Sequence, residues 1–223
     1  MKTIRFIRHA ESAANAGLPT TDPGGIPLTE NGKLAAALAA ADYHGPEPDL
    51  IVVSPYLRAW QTAEPFIARF PGAEIETWPV QEFTYISPAR CVGTTTADRR
   101  PLVDAYWNMA SPTHSDGAGT ESFADFTARL LASLKKLRLR EEENILVVCH
   151  GIFMNAAAFY QAPEEDPSDP DSMRRFHQYT LDDPVPNLGI WGDSNPPERL
   201  AKPAGTSADE QRTARPCATG RSG

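Results

Sequence analysis

A chain of 223 residues can bury one sizeable α/β core without a second domain. Its formal charge of −8 argues against a broad electrostatic surface for nucleic acid or anionic membrane. The three cysteines, Cys91, Cys149 and Cys217, show none of the paired spacings of a zinc site or a disulfide framework. In so acidic a chain, a site for a phosphorylated ligand has to be a small local constellation of arginines and histidines.

The N-terminus runs straight into strand-like sequence, Ile4 to Ile7, without an apolar leader. No later run approaches membrane-spanning length, so a cytoplasmic protein without a membrane or nucleic-acid partner is expected. Thr29 follows Pro27-Leu28 and is placed to cap a helix carrying Leu34 and Leu38 on one face among many alanines. Leu50 to Val53 is a second short, β-branched run. Leu57, Trp60, Ala63, Ile67 and Phe70 then keep roughly helical spacing, with Pro65 expected to bend or shorten that helix.

The stretch from about 84 to 119 breaks the alternation with arginines, aromatics and a Ser/Gly/Asp-rich end, and reads as a partly helical cap folded over the sheet. Behind Thr120, a candidate cap residue, Phe123, Phe126, Leu130, Leu134 and Leu137 recur at steps of three and four. Ile145 to Val148 is the third strand-like run. Strands alternating with helices predict a three-layer α/β/α sandwich with a mainly parallel central sheet, formed by residues 1–193 as one domain. From 194 to 223 the chain is Pro, Gly, Ala, Ser, Thr and charge, with too little apolar surface to offset its ordering entropy, and a disordered tail is expected.

Ligands of open parallel sheets collect at the carboxyl ends of the strands. Arg8-His9-Ala10-Glu11 follows the first strand, Ser54-Pro55-Tyr56-Leu57-Arg58 the second, and Cys149-His150-Gly151 the run ending at Val148. Two arginines and two histidines thus converge on one edge. Arginine offers a planar fork of donors and histidine either a donor or a nucleophile, so the edge reads as an anion site.

These motifs resemble those of the histidine phosphatase superfamily, the phosphoglycerate-mutase-like group. The resemblance rests on Arg8-His9-Ala10-Glu11-Ser12-Ala13-Ala14-Asn15, Pro27-Leu28-Thr29 with Gly32, Ser54-Pro55 with Arg58 and Gln61-Thr62-Ala63, Glu82, Glu121-Ser122-Phe123, and Val148-Cys149-His150-Gly151, in that order. It implies that His9 attacks phosphorus and holds it as phosphohistidine until water displaces it. For that His9 must be neutral, with its other ring nitrogen donating to an acceptor, expected to be a backbone carbonyl in the following loop.

Arg8, Arg58 and His150 would surround the non-bridging oxygens, and Glu82 would protonate the leaving alkoxide, helped by burial or by the bound phosphate. Asn15 is implied as a further phosphate or substrate contact, Gly151 as the opening of a helix whose N–H groups add to the site, and Glu11 and Ser12 as residues that hold the loop in shape. Ala10 stands where glycine is usual, which matters if that backbone needs a positive φ.

Other residues have plainer readings. His44, His114 and His177 are expected at the surface, and Cys149, on the strand face opposite to its neighbour His150, as a buried inert thiol. Arg90, Arg99 and Arg100, with Tyr85, Tyr106 and Trp107, either line the entrance or pack within the cap. The expected activity is metal-independent phosphomonoester hydrolysis without a cofactor, on a small phosphorylated metabolite or a phosphoprotein. A mutase is the alternative, although the chain lacks the longer basic segment associated with sugar-phosphate mutases. A weakly catalytic phospho-ligand-binding domain is the third reading.

Overall fold

The three β-branched runs become the middle of one sheet. In the computed structural model, which describes residues 2–160 and 165–192, the elements in chain order are β1 (Thr3–Arg8), α1 (Glu30–Ala41), β2 (Leu50–Val53), α2 (Leu57–Arg69), β3 (Glu74–Thr77), α3 (Pro88–Cys91), α4 (Arg100–Met109), α5 (Phe123–Leu139), β4 (Asn144–Cys149), α6 (Gly151–Phe159), α7 (Pro170–Asp182) and β5 (Ile190–Gly192). The tail proposed for 194–223 lies outside the described residues.

The strand order is β3-β2-β4-β1-β5, parallel except for β5, which runs antiparallel to β1. Alternate residues of each strand feed two separate cores. Ile7, Ile51, Val53, Leu146 and Val148 pack with α1 and α2 on one face. Ile4, Phe6, Leu50, Val52, Ile145, Val147 and Cys149 pack with α5, α6, α7 and the aromatic residues of α4 on the other. This is the expected three-layer sandwich, with strands buried on both faces and so almost uniformly apolar in sequence.

Helix α5 follows its pattern: Phe123, Phe126, Leu130, Leu134 and Leu137 are all buried. Its cap is not Thr120 but Ser122, whose hydroxyl accepts from the Asp125 N–H while Asp125 reaches back to the Ser122 N–H. Thr120 instead donates to the Gly117 carbonyl in the preceding turn. The reciprocal capping box satisfies two orphan N–H groups where one threonine would satisfy one.

Two helix faces differ from the sequence reading. In α1 the buried residues are Gly32, Ala36 and Ala40, while Leu34 and Leu38 are 62% and 61% exposed. The reason is distance: a Cβ at Gly32 would overlap the carbonyl oxygen of Glu11, so only small residues fit on the inner face. In α2 the buried face is Arg58, Ala59, Thr62, Ala63 and Phe66, and Leu57 is exposed. Pro65 does not shorten this helix, which continues to Arg69 with Phe66 fully buried and Phe70 beneath it against Tyr43.

The segment between 84 and 119 contains α3 and α4 and is tied to the loop after β1. Thr20 and Thr94 form an isolated antiparallel bridge, and the Thr96 hydroxyl donates to the Ala14 carbonyl.

The close approach at Gly32 makes Gly32→Ala destabilising, because the extra methyl has to displace the backbone of the loop that follows His9. Urea unfolding should show a loss of about 1–3 kcal/mol, typical of overpacking. Leu38→Ala, on the exposed face, should change stability by less than about 0.5 kcal/mol, as surface substitutions do.

Candidate active site

The carboxyl ends of β1 and β4 lie level, with Arg8 opposite Cys149. His9 and His150 therefore leave the sheet side by side, their ring centroids 5.1 Å apart. Both imidazoles are buried.

His9 Nδ1 lies 2.7 Å from the Ala10 carbonyl oxygen, which can only accept, so Nδ1 holds the proton and Nε2 is left with its lone pair. Arg58 Nε donates to that Nε2 at 3.2 Å. Burial first, and then the charges of Arg58 and Arg8, hold His9 well below its ordinary value of 6.5, so the ring is neutral at neutral pH. Ala10 is compatible with this loop. Its backbone is not among the positive-φ positions, and its N–H donates to the Thr62 hydroxyl at 3.0 Å.

The two arginines are held by carbonyl oxygens. Arg8 Nη1 donates to the Val185 carbonyl at 2.5 Å, and Arg58 Nη1 to the Pro23 carbonyl at 2.7 Å, with its guanidinium 4.9 Å from the centre of the Tyr56 ring. Burial lowers both guanidinium pKa values, and the charge of Glu82 opposes that shift. Carbonyl partners leave each cation uncancelled, so positive potential remains beside His9.

His150 caps α6 with extended backbone, and its Nε2 lies 2.7 Å from Ser54 Oγ at the end of β2. Burial, and then Arg58, His9 and Arg8, keep it neutral as well. Glu82 reaches the same place from the loop after β3: one carboxylate oxygen accepts from its neighbour Phe83 N–H, and the other accepts at 3.3 Å from Ile152 N–H in the first turn of α6. Gly151 packs on Arg8, where a Cβ would stand 3.4 Å from Nε.

Neutral imidazole, two fixed cations, a second buried imidazole and a carboxyl group at a helix N-terminus thus share one space at the sheet's carboxyl edge. A model of the histidine phosphatase superfamily (branch 1) matches residues 4–180. The chain belongs to the histidine phosphatase superfamily.

Solved structures with the same fold include a putative alpha-ribazole-5'-P phosphatase from Escherichia coli, 20% identical, with a TM-score of 0.64 over 86% of this chain and 90% of that one. A mycobacterial glucosyl-3-phosphoglycerate phosphatase is 21% identical, with a TM-score of 0.63 over 86% and 89%. The alpha-ribazole phosphatase of Shigella flexneri is 19% identical, with a TM-score of 0.62 over 85% and 89%. A search of curated protein sequences gave no match.

In this superfamily member Asn15 is exposed, and its side-chain carbonyl is taken up within the loop, accepting from the Ser12 N–H and from Asn187 Nδ2. Glu11 accepts from the Thr29 hydroxyl, which ties the loop to the cap of α1. Four residues of the site were given no role by the sequence reading. Ser54 supports His150, and Thr62 supports Ala10. Asn187 donates to the His9 carbonyl at 2.8 Å. Arg129 forks onto Glu121 and also donates to the carbonyls of Pro79 and Gln81, fixing the segment that leads into Glu82.

The three cap arginines have partners within the cap and the loop after β1. Arg90 pairs with Asp116, Arg100 with Asp104, and Arg99 binds Thr20, Thr94 and Thr95. Tyr85, Tyr106 and Trp107 join Phe83 and Phe123 in an aromatic cluster. His177 is not a plain surface histidine: it stacks on Trp107, nearly parallel at 4.4 Å. Cys149 is buried in the core, which pushes its thiol pKa up. Among the described residues, no three His, Cys, Asp or Glu side chains are grouped to hold a metal ion, and no helix is long and apolar enough to cross a membrane.

Two histidines kept neutral by burial make stability depend on pH. Below the ordinary value of 6.5 the unfolded chain binds protons that folded His9 and His150 refuse. Their contribution is fully present above that pH and is lost as pH falls from it towards their folded values. Urea midpoints should therefore drop between about pH 7.5 and about pH 5.5, above the range in which ordinary carboxylates titrate. The drop should shrink in His9→Gln; an equal drop in both proteins would exclude His9 as a source.

Proposed function

We propose that the chain is a phosphomonoester hydrolase that works through a phosphohistidine on His9. The observation that carries this reading is the fixed ring of His9, with Nδ1 bound to the Ala10 carbonyl and the Nε2 lone pair beside Arg58.

In the first half-reaction Nε2 attacks phosphorus, the bond from phosphorus to the ester oxygen breaks, and Glu82 gives its proton to the departing alkoxide. Arg8, Arg58 and His150 hold the three non-bridging oxygens, where most of the catalytic effect in phosphoryl transfer arises. In the second half a water attacks in line, the phosphorus–nitrogen bond breaks, and the carboxylate of Glu82 takes the proton that water gives up. Inorganic phosphate leaves with His9 and Glu82 restored.

The fold neighbours whose names give a substrate are phosphatases of small phosphorylated molecules, which supports a phosphorylated metabolite as the substrate class here. Nothing in this scheme requires a metal, so turnover should persist in chelator.

Incubation with a phosphorus-labelled monoester should give an acid-labile, base-stable protein label that disappears in His9→Ala. A label that persists in that variant, or no label alongside full turnover, would sink the assignment. Arg58→Lys should lower kcat about 10²-fold to 10³-fold, since an ammonium cannot reproduce the guanidinium fork. Turnover that requires a bisphosphorylated primer would identify a mutase instead.

A further inference from the structure

Ser54 ends β2 beside the site, and its hydroxyl has two neighbours. The Tyr56 N–H donates to Oγ at 3.3 Å, and His150 Nε2 lies 2.7 Å away. Ser54 and His150 are both fully buried. A serine hydroxyl has one proton to give, and the Tyr56 N–H cannot accept it. His150 Nε2 is thus the acceptor in reach. The opposite tautomer, with Nε2–H pointing at Oγ, would surround that oxygen with donors and leave the hydroxyl proton without an acceptor in a space closed to water.

The choice matters because His150 is neutral and has a single ring proton. On the other side of the ring Nδ1 is buried and has no partner among the described residues. The charged groups acting on the ring are Arg58, Arg8 and Arg129, with His9 beside it. Three cations favour a lone pair directed towards them, whereas a phosphoryl oxygen needs an N–H. The electrostatic field alone therefore does not select the donor form.

We propose that Ser54 is a positioning residue that, by donating to Nε2, holds His150 as the Nδ1–H tautomer and so presents a fixed donor to an oxygen of the transferring phosphoryl group. The catalytic half of this statement rests on the phosphoryl-transfer reading above. The tautomer half does not depend on it.

The test is nitrogen NMR of the full chain labelled with 15N-histidine, in its resting state, with the His150 signals assigned by their loss in His150→Gln. In the wild type, Nδ1 should show the shift of a protonated nitrogen and Nε2 that of an acceptor. Ser54→Ala should move the ring towards Nε2–H and lower kcat about 10²-fold with little change in KM, the lower end of the cost of losing one aligned donor. Ser54→Thr, which keeps a hydroxyl, should restore the wild-type spectrum and turnover. Nε2–H in the wild type, or an alanine variant that retains the Nδ1–H form, overturns the proposal whatever turnover does. Because the spectra need no substrate, failure to find a phosphohistidine would defeat the reaction assignment and leave the tautomer result standing.

Discussion

Holding two guanidinium groups and two uncharged imidazoles together without neutralising the cations is the constraint on which the site depends. Full carboxylate partners for Arg8 and Arg58 would settle the charge and remove the positive potential. The chain uses carbonyl oxygens instead, those of Val185 and Pro23. A hydrogen bond to a charged group contributes about 1.5–3 kcal/mol, less than the several kcal/mol that desolvating an ion costs. The deficit leaves both cations short of negative charge, which a phosphate group would supply in the proposed reaction. Burial first, and then the charge of the same two cations, keeps His9 and His150 neutral, so an uncharged imidazole and an uncancelled positive field coexist in one arrangement.

Glu82 is the negative group that acts on both arginines. It stands not in a fork with either guanidinium but on the Ile152 N–H at the start of α6. A helix N-terminus favours an acidic group there by about 0.3–1 kcal/mol. That is enough to help place the carboxyl group. Arg129 secures the approach by holding the carbonyls of Pro79 and Gln81, while its own charge is matched by Glu121.

How much of this could be read from the chain depends on the range of each interaction. The strands β1, β2 and β4 were legible because burial on both faces makes them continuous apolar runs, and Arg8, His9, Arg58 and His150 because each sits at or near the end of one. The edge strands were not: β3 reads Glu-Ile-Glu-Thr and has no buried residue, and β5 has three residues. Helix α7 did carry a signal, Asp169 followed by Pro170, with the aspartate accepting from the Asp171 and Ser172 N–H groups. In α1 the larger residues, Leu34 and Leu38, face outward, because the backbone of Glu11 comes so close that glycine and alanine are the inward residues.

Asn187 marks the limit of such reading. It lies 178 residues from His9, in a loop whose composition says only that the chain turns. In space that loop does much of the work of holding Arg8 and His9. Gly189 accepts from the Arg8 N–H, Leu188 donates to the Arg8 carbonyl, Val185 binds the guanidinium, and Asn187 spans the His9 carbonyl and Asn15. These are mostly main-chain contacts, which many sequences can make, so no residue type announces them. The chemistry of the site is written in side chains that a sequence displays, whereas its precision comes from backbone placed by a return to the sheet edge at β5, and that placement is a property of the fold.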